Sequence, residues 1–112
     1  MTPRAIVVRE RAARDVERAI DWYRRNAGES TALRFVAAFE EALARMALHA
    51  NAGSPRFAQE LDLPGLRSMR IAGFPYVVFY ADAAAHLDVW RVLHGARDLP
   101  ALLQGDLGFR ED

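Results

Sequence analysis

The sequence contains no cysteine and no lysine. Without cysteine the protein has neither disulfide bonds nor thiolate metal ligands, which suits the reducing cytoplasm. All 15 basic residues are therefore arginines, and 15 acidic residues balance them to a formal net charge of zero. The globally basic field that attracts nucleic acid is missing, so we expect no direct binding to nucleic acid.

Long apolar runs are also missing. No segment approaches the roughly 20 apolar residues of a membrane-spanning helix, and residues 1–11 contain too few apolar side chains for a secretory signal. A length of 112 residues fits one compact domain, and no repeat or linker divides the chain. These absences predict a single cytoplasmic domain over residues 1–112 without a membrane partner.

Two segments show the period of amphipathic helices. In Arg11–Asn26 the apolar residues fall in one arc of a helical wheel, opposite a charged face. Gly28 is suited to end this helix, and Ser30 or Thr31 can begin the next one, which is predicted over Thr31–His49. The connection of roughly four residues predicts an antiparallel helical hairpin.

Four other segments are typical of β-strands, because they are short and rich in branched or aromatic residues. The predicted strands are Arg4–Arg9, Leu66–Ala72, Phe74–Ala81 and His86–Leu93. The predicted order is therefore β-α-α-β-β-β, in an α+β fold. The connector Asn51–Gly65 is rich in Asn, Gly, Ser and Pro, which argues against regular structure there. Asp98–Leu103 is predicted to form one closing helical turn, and Gly105–Asp112 a frayed tail.

The usual signatures of catalytic sites are absent from the sequence. There is no glycine-rich phosphate loop, no metal-ligand spacing and no G-x-S-x-G motif, so we expect no cofactor and no metal site. What remains is a set of arginines in the C-terminal half, accompanied by one histidine: Arg67, Arg70, Arg91, Arg97 and His94. Arg67 and Arg70 are an odd number of residues apart, so they point to opposite faces of a strand. At most one of them shares a face with Arg91.

Arg91 interrupts a strand of apolar neighbours. An arginine in that position needs a carboxylate, backbone carbonyls or solvent at a cleft. An internal ion pair with Asp88, Asp98 or Glu60 and a functional role at the surface both remain open. Trp22 is unusual in a similar way, because it lies outside the apolar arc of its helix. It either covers a neighbouring loop or contacts a partner.

The residues resemble the ParE toxins of the RelE/ParE superfamily over nearly the whole chain. The resemblance is strongest in LPGLRSMRIAGFPYVVFY and LDVWRVLHGARDLP, within residues 63–100. The run Arg91–Gly95 followed by Arg97 and Asp98 is a specific match. Supporting matches are Asp21–Tyr23, Arg34 and Phe35 with Phe39, and Gly53–Arg56.

This resemblance implies a helical hairpin packed on a small, mostly antiparallel sheet. It also implies the toxin component of a type II toxin–antitoxin module, neutralised by a ParD-like antitoxin through which operator DNA is contacted. ParE-like members poison DNA gyrase, whereas RelE-like members cut messenger RNA on the ribosome. We therefore predict a toxin that inhibits DNA gyrase by binding. The alternatives are a RelE-like ribosome-dependent mRNA endoribonuclease and a non-toxic relative with the same fold.

The RNA-cleaving alternative requires specific chemistry. Cleavage at a 2′-OH needs a base, an acid and a cation near the phosphate, and Arg70, Arg91 and His94 are the residues available for these roles. However, no tyrosine follows Tyr80 in the sequence. A net charge of zero is also poor for a nuclease that works on the ribosome.

The preferred prediction assigns two sets of residues. Arg91, His94 and Arg97, with the tail that follows them, are the candidates for toxicity and target binding, because charged groups there could meet a carboxylate-bearing surface. Three aromatic residues are the candidates for antitoxin binding, because aromatic anchors often dominate interfaces. They are Trp22, Phe57 and Trp90.

Overall fold

The computed structural model describes residues 2–103. In chain order the elements are β1 (Ile6–Val8), α1 (Glu10–Ala27), α2 (Glu29–Leu48), α3 (Arg56–Glu60), β2 (Leu66–Arg70), β3 (Tyr76–Asp82), β4 (Leu87–His94) and α4 (Leu99–Leu103). The predicted α+β class and strand–helix order are confirmed. No helix in this part of the chain is both long and apolar enough to cross a bilayer. The predicted tail, Gly105–Asp112, lies outside the described residues.

The helical hairpin is tighter than predicted. α1 ends at Ala27 and α2 begins at Glu29, so Gly28 alone connects them. Gly28 has a φ of 94°, in the region that favours glycine, and its carbonyl accepts the Ala32 N–H at 3.2 Å. The buried apolar residues of the hairpin are Ala12, Ala19 and Tyr23 of α1, and Ala32, Phe35, Phe39, Ala42 and Met46 of α2.

The sheet has the strand order β1-β4-β3-β2. β1 runs parallel to β4, whereas β2–β3 and β3–β4 are antiparallel pairs. The prediction of a mostly antiparallel sheet is thus confirmed. Between β3 and β4 the register shifts, with Val89 opposite Tyr80 and Arg91 opposite Phe79. Trp90 is therefore the extra residue of a β-bulge.

Each face of the sheet carries its own hydrophobic core. The first core lies between the sheet and the α1–α2 hairpin, and its strand residues include Val78, Tyr80, Leu87, Val89 and Val92. The second core lies on the opposite face with α3 and α4, and its buried residues are Phe57, Leu66, Phe79, Leu93 and Leu102. β3 contributes to both cores, which explains its almost entirely apolar sequence.

The connector between α2 and β2 differs from the prediction. We expected no regular structure over Asn51–Gly65, but α3 forms within it. The Arg56 N–H donates to Ser54 Oγ at 3.1 Å, which supports the first turn of this helix. Phe57 then packs into the second core, where it is only 4% exposed. Helices this short are stabilised mainly by such tertiary packing, which the breaker-rich sequence of the connector does not reveal.

Candidate functional site

The side chain of Arg91 is buried in an ion pair with Asp15 of α1. Its Nε donates to Asp15 Oδ2 at 2.8 Å and its Nη2 donates to Oδ1 at 3.0 Å, and both side chains are 7% exposed. This pair corrects two expectations. The acidic partner is Asp15, and none of the expected partners Asp88, Asp98 and Glu60. The expectation that Arg91 presents its guanidinium as a docking group at the surface is wrong, because the group is turned inward to α1.

Asp15 also completes the edge of β4. β1 pairs with residues 87–89 of β4, and within residues 2–103 no strand lies beside the second half of β4 on that side. There the Val92 N–H donates to Asp15 Oδ2 at 3.0 Å, and the His94 N–H donates to Asp98 Oδ2 at 2.8 Å. Two carboxylates thus satisfy backbone donors that would otherwise need a strand partner, and they fix the end of β4.

His94 shapes the turn that follows β4. Its Nδ1 accepts the N–H groups of Ala96 at 3.2 Å and Arg97 at 3.0 Å. Its ring packs edge-on against Tyr76, with the ring centroids 5.2 Å apart. The Nδ1 lone pair is therefore used within the turn, and the imidazole acts here as a structural acceptor.

Arg97 is the exposed charged residue of this turn. Its side chain is 60% exposed, and its Nε donates to Asp98 Oδ1 at 3.1 Å. Partial burial acts to raise the pKa of Asp98, but hydrogen bonds from Arg97 and from the His94 N–H outweigh it, so the pKa is lowered. Asp98 is therefore a carboxylate at neutral pH and balances part of the charge of Arg97.

A cavity of about 370 Å³ separates α1 from the turn after β4. We call it the α1–β4 groove and define it by Arg18, Trp22, Arg25, Tyr76 and Arg97, all of which line it. Trp22 is 47% exposed, and its ring packs edge-on against the neighbouring tyrosine of α1. The groove thus combines one exposed aromatic ring with three exposed arginines, and the buried Arg91 also lines it.

The groove carries an excess of positive charge. Its two carboxylates, Asp15 and Asp98, are already paired with Arg91 and Arg97. Arg25 donates to a backbone carbonyl at 3.3 Å, and no ion pair links Arg18 or Arg25 to a carboxylate within residues 2–103. Groups of this kind bind carboxylates strongly. The arrangement is suited to an acidic surface that also offers an apolar contact to the indole.

Comparison with known proteins identifies the family. The family model described as ParE toxin of type II toxin-antitoxin system, parDE, matches residues 6–99. The chain belongs to the ParE toxin family. Among solved structures it is similar to a chain titled "Chromosomal ParDE TA system from P. aeruginosa", with 22% sequence identity and a TM-score of 0.69, over 81% of this chain and 95% of that chain. At this identity the likeness shows the fold alone. No curated protein matches.

The structure does not bring all the predicted residues of this ParE-family chain together. Of the three aromatics predicted to bind an antitoxin, only Trp22 is exposed and lies in the α1–β4 groove. Phe57 is buried in the second core, so its prediction as a surface anchor is wrong. Trp90 is half-buried against the same core, with the Arg9 guanidinium 5.1 Å from its ring centroid. A partner would reach it only beside Arg9.

The residues considered for RNA cleavage are also dispersed. Arg70 lines a different cavity, while Arg91 pairs with Asp15 and His94 supports its own turn. As predicted, Arg67 and Arg70 lie on opposite faces of β2. Arg67 donates to the backbone carbonyls of Asn51 and Gly53, at 3.2 and 2.6 Å.

Sequence reasoning missed Asp15, Arg18 and Arg25. Asp15 is 8% exposed and lies between the buried Ala12 and Ala19. An acidic residue at helical spacing from both, on the apolar side of an amphipathic helix, is the signal that could have found it. Arg18 and Arg25 carry no such signal, because they resemble any solvated helix face.

Metal binding has no support in this part of the molecule. In residues 2–103 no three histidine, aspartate or glutamate side chains are grouped so that they could hold an ion. The acidic groups of the site have arginine partners instead.

Proposed function

We propose that this ParE-family chain is a cytoplasmic toxin that inhibits DNA gyrase by binding it, and that a ParD-like antitoxin, which also contacts operator DNA, neutralises it. The observation that carries the proposal is the α1–β4 groove, with Trp22 exposed between Arg18 and Arg25 and facing Arg97. Tryptophan and arginine are the residue types that most often dominate the binding energy of interfaces. The groove is therefore the toxin's main binding surface.

The dispersal of the charged residues supports binding as the mode of action. Cleavage at a 2′-OH requires an acid, a base and a cation around one phosphate. Arg70, Arg91 and His94 do not converge on one cavity. Protein binding requires no such convergence, only an accessible surface of complementary shape and charge.

The residues of the predicted toxicity set take different roles in this proposal. Arg97 contacts a carboxylate of the target directly, together with Arg18 and Arg25 of α1. His94 positions Arg97 by accepting its N–H. Arg91 acts indirectly, because its pair with Asp15 holds α1 against β4 and so fixes the two walls of the groove.

The same groove accounts for neutralisation. Trp22 and Arg97 line one surface, so an antitoxin segment that covers Trp22 also covers the target-binding arginines. Antitoxin and gyrase would then compete for the toxin. An acidic partner segment with one large apolar side chain fits the groove on both charge and shape.

A supercoiling assay tests the proposal. We expect the purified chain to inhibit supercoiling by DNA gyrase, and Trp22→Ala and Arg97→Gln each to raise the inhibitory concentration about tenfold, since hot-spot truncations cost about 1–2 kcal/mol or more. Leu33→Ala and Arg45→Gln are the matched controls, because both residues are exposed on α2, outside the groove. The controls should inhibit as the unmodified chain does.

An in vitro translation assay, in which cleavage of messenger RNA is measured, is carried out in parallel with the supercoiling assay. Intact messenger RNA together with inhibited supercoiling supports the proposal. Cleaved messenger RNA with normal supercoiling would establish the RelE-like alternative. A chain that does neither, although folded, would be the non-toxic fold relative.

A further inference from the structure

A second cationic cavity lies on the face of the sheet that carries the second core. Its volume is about 410 Å³, and it is formed by α3, by β2 and β3 and by the turn after β4. Phe57, Val77 and Leu99 supply apolar surface, and Arg56 and Arg70 line it as well. Among the described residues 2–103, neither Asp nor Glu lines it.

The two arginines of this cavity lack acidic partners. Within residues 2–103, neither Arg56 nor Arg70 forms an ion pair or hydrogen bond through its guanidinium. The Arg56 guanidinium instead lies 4.8 Å from the centroid of the Phe57 ring. By contrast, Arg91 and Arg97 each have a carboxylate partner. Two positive charges beside a cavity without acids favour a ligand with two negative charges.

Two hydroxyl groups add donors to the same cavity. Ser68 and Arg70 are two residues apart on β2, so they share a face of the strand. Ser54 lies across a backbone bridge from Ser68, and both serines line the cavity. Ser54 Oγ accepts the Arg56 N–H, so its own hydrogen can be donated to a ligand.

We propose that this cavity binds a small phosphate monoester with an apolar body, holding the phosphate between Arg56 and Arg70. A phosphate monoester is a dianion at neutral pH and accepts hydrogen bonds from both guanidinium and hydroxyl groups. The apolar body packs against Pro75, Val77 and Leu99, which line the cavity and are not fully buried. A volume of about 410 Å³ lies in the range of small-molecule sites, roughly 300–1,000 Å³. The cavity and the α1–β4 groove both touch Tyr76 but have no arginine in common, and the proposal does not depend on the proposed gyrase inhibition.

Calorimetric titration of the full chain with three probes tests separately how the charge of the ligand and its apolar part contribute to binding. Phenyl phosphate carries both features, inorganic phosphate only the charge, and benzoate the same ring with a single charge. We expect saturable binding of phenyl phosphate in the millimolar range or tighter, and binding about tenfold weaker for each of the other two. Benzoate binding as tight as phenyl phosphate, or no saturable binding of phenyl phosphate, would overturn the proposal.

Variants locate the site. The double variant Arg56→Gln/Arg70→Gln should lose phenyl phosphate binding, whereas Arg11→Gln/Arg45→Gln, which removes the same charge from the helical hairpin, should keep it. Gly95→Leu adds bulk at the cavity wall, where a Cβ meets only the Pro75 carbonyl oxygen at 3.7 Å. It should weaken phenyl phosphate more than inorganic phosphate.

Two outcomes would count against the cavity as the site. One is phenyl phosphate binding that survives Arg56→Gln/Arg70→Gln. The other is an equal loss in the control pair, which would indicate a general charge effect. Thermal unfolding of each variant shows whether it is folded. If the arginine double variant is not folded, the test rests on Gly95→Leu and Ser68→Ala. Unchanged affinity for phenyl phosphate in both variants would refute the site.

Discussion

The variant Asp15→Ala probes how α1 is held to β4. It removes three hydrogen bonds at once, two from the Arg91 guanidinium and one from the Val92 N–H, with lengths of 2.8, 3.0 and 3.0 Å. The carboxylate is lost while the Arg91 charge remains at a site where only 7% of its side chain is exposed. Removing one member of a buried pair costs about 3–5 kcal/mol. We expect Asp15→Ala to lower the free energy of unfolding by that amount.

This loss is large for a small domain. The free energy of unfolding of native proteins is about 5–15 kcal/mol, so the variant approaches the limit of folding. At roughly 4 °C per kcal/mol for a domain of this size, Tm should fall by roughly 10–20 °C. Urea unfolding followed by circular dichroism measures the free energy, and a thermal scan measures Tm.

A double-mutant cycle separates the ion pair from its surroundings. Arg91→Met keeps an apolar side chain of similar length, and Asp15→Ala/Arg91→Met removes both charges. Replacing both members of a buried pair is far less costly than removing one. The double variant should therefore lose less free energy of unfolding than the two single variants lose in total, by at least about 1 kcal/mol. A loss below about 1 kcal/mol for Asp15→Ala, or strictly additive losses, would refute the reasoning.

Two further predictions concern the rest of the fold. Gly53→Ala should destabilise the protein by roughly 1–3 kcal/mol in urea unfolding, because its Cβ would overlap the buried Tyr80 ring; Gly95→Ala, at an uncrowded position, is the control and should change little. The hydrogen bonds from Arg4 lower the pKa of Asp82 to about 2, so the unfolded chain binds a proton on Asp82 more readily than the folded one. The stabilisation by this pair should therefore be present above about pH 4 and lost as the pH falls towards 2, and a protein with Asp82→Asn should lack this part of the pH dependence; an identical profile for both proteins would contradict it.

The net charge of zero conceals how the arginines are used. Some are matched to carboxylates, as Arg4 is to Asp82 and Arg91 is to Asp15. Others line cavities and have no carboxylate partner among the residues that the structure describes, as Arg18 does in the α1–β4 groove and Arg56 in the second cavity. Composition cannot distinguish these groups. The distinction matters for function, because the second group can bind acidic partners or ligands without first breaking an internal contact. Arg97 stands between the two groups, since its side chain is paired with Asp98 but remains 60% exposed.

The order of the elements follows from local patterns. The wheel of Arg11–Asn26 predicts α1, and short runs rich in branched or aromatic residues predict the four strands, because periodicity and propensity act over neighbouring residues. Gly28 indicates where one helix ends. The run Arg91–Gly95 with its flanking residues indicated the ParE family, which the match over residues 6–99 bears out.

The sequence by itself therefore determined the class, the order of the two long helices and the four strands, and the family. Only the tertiary structure decided which charges are available. Arg91 pairs with a carboxylate 76 residues earlier in the chain. Phe57 is buried because it packs in the second core. Such partners depend on how α1 and α3 lie against the sheet, and no local period encodes that packing. The candidate site is therefore the groove that Trp22 and Arg97 line, beside the strand that carries Arg91.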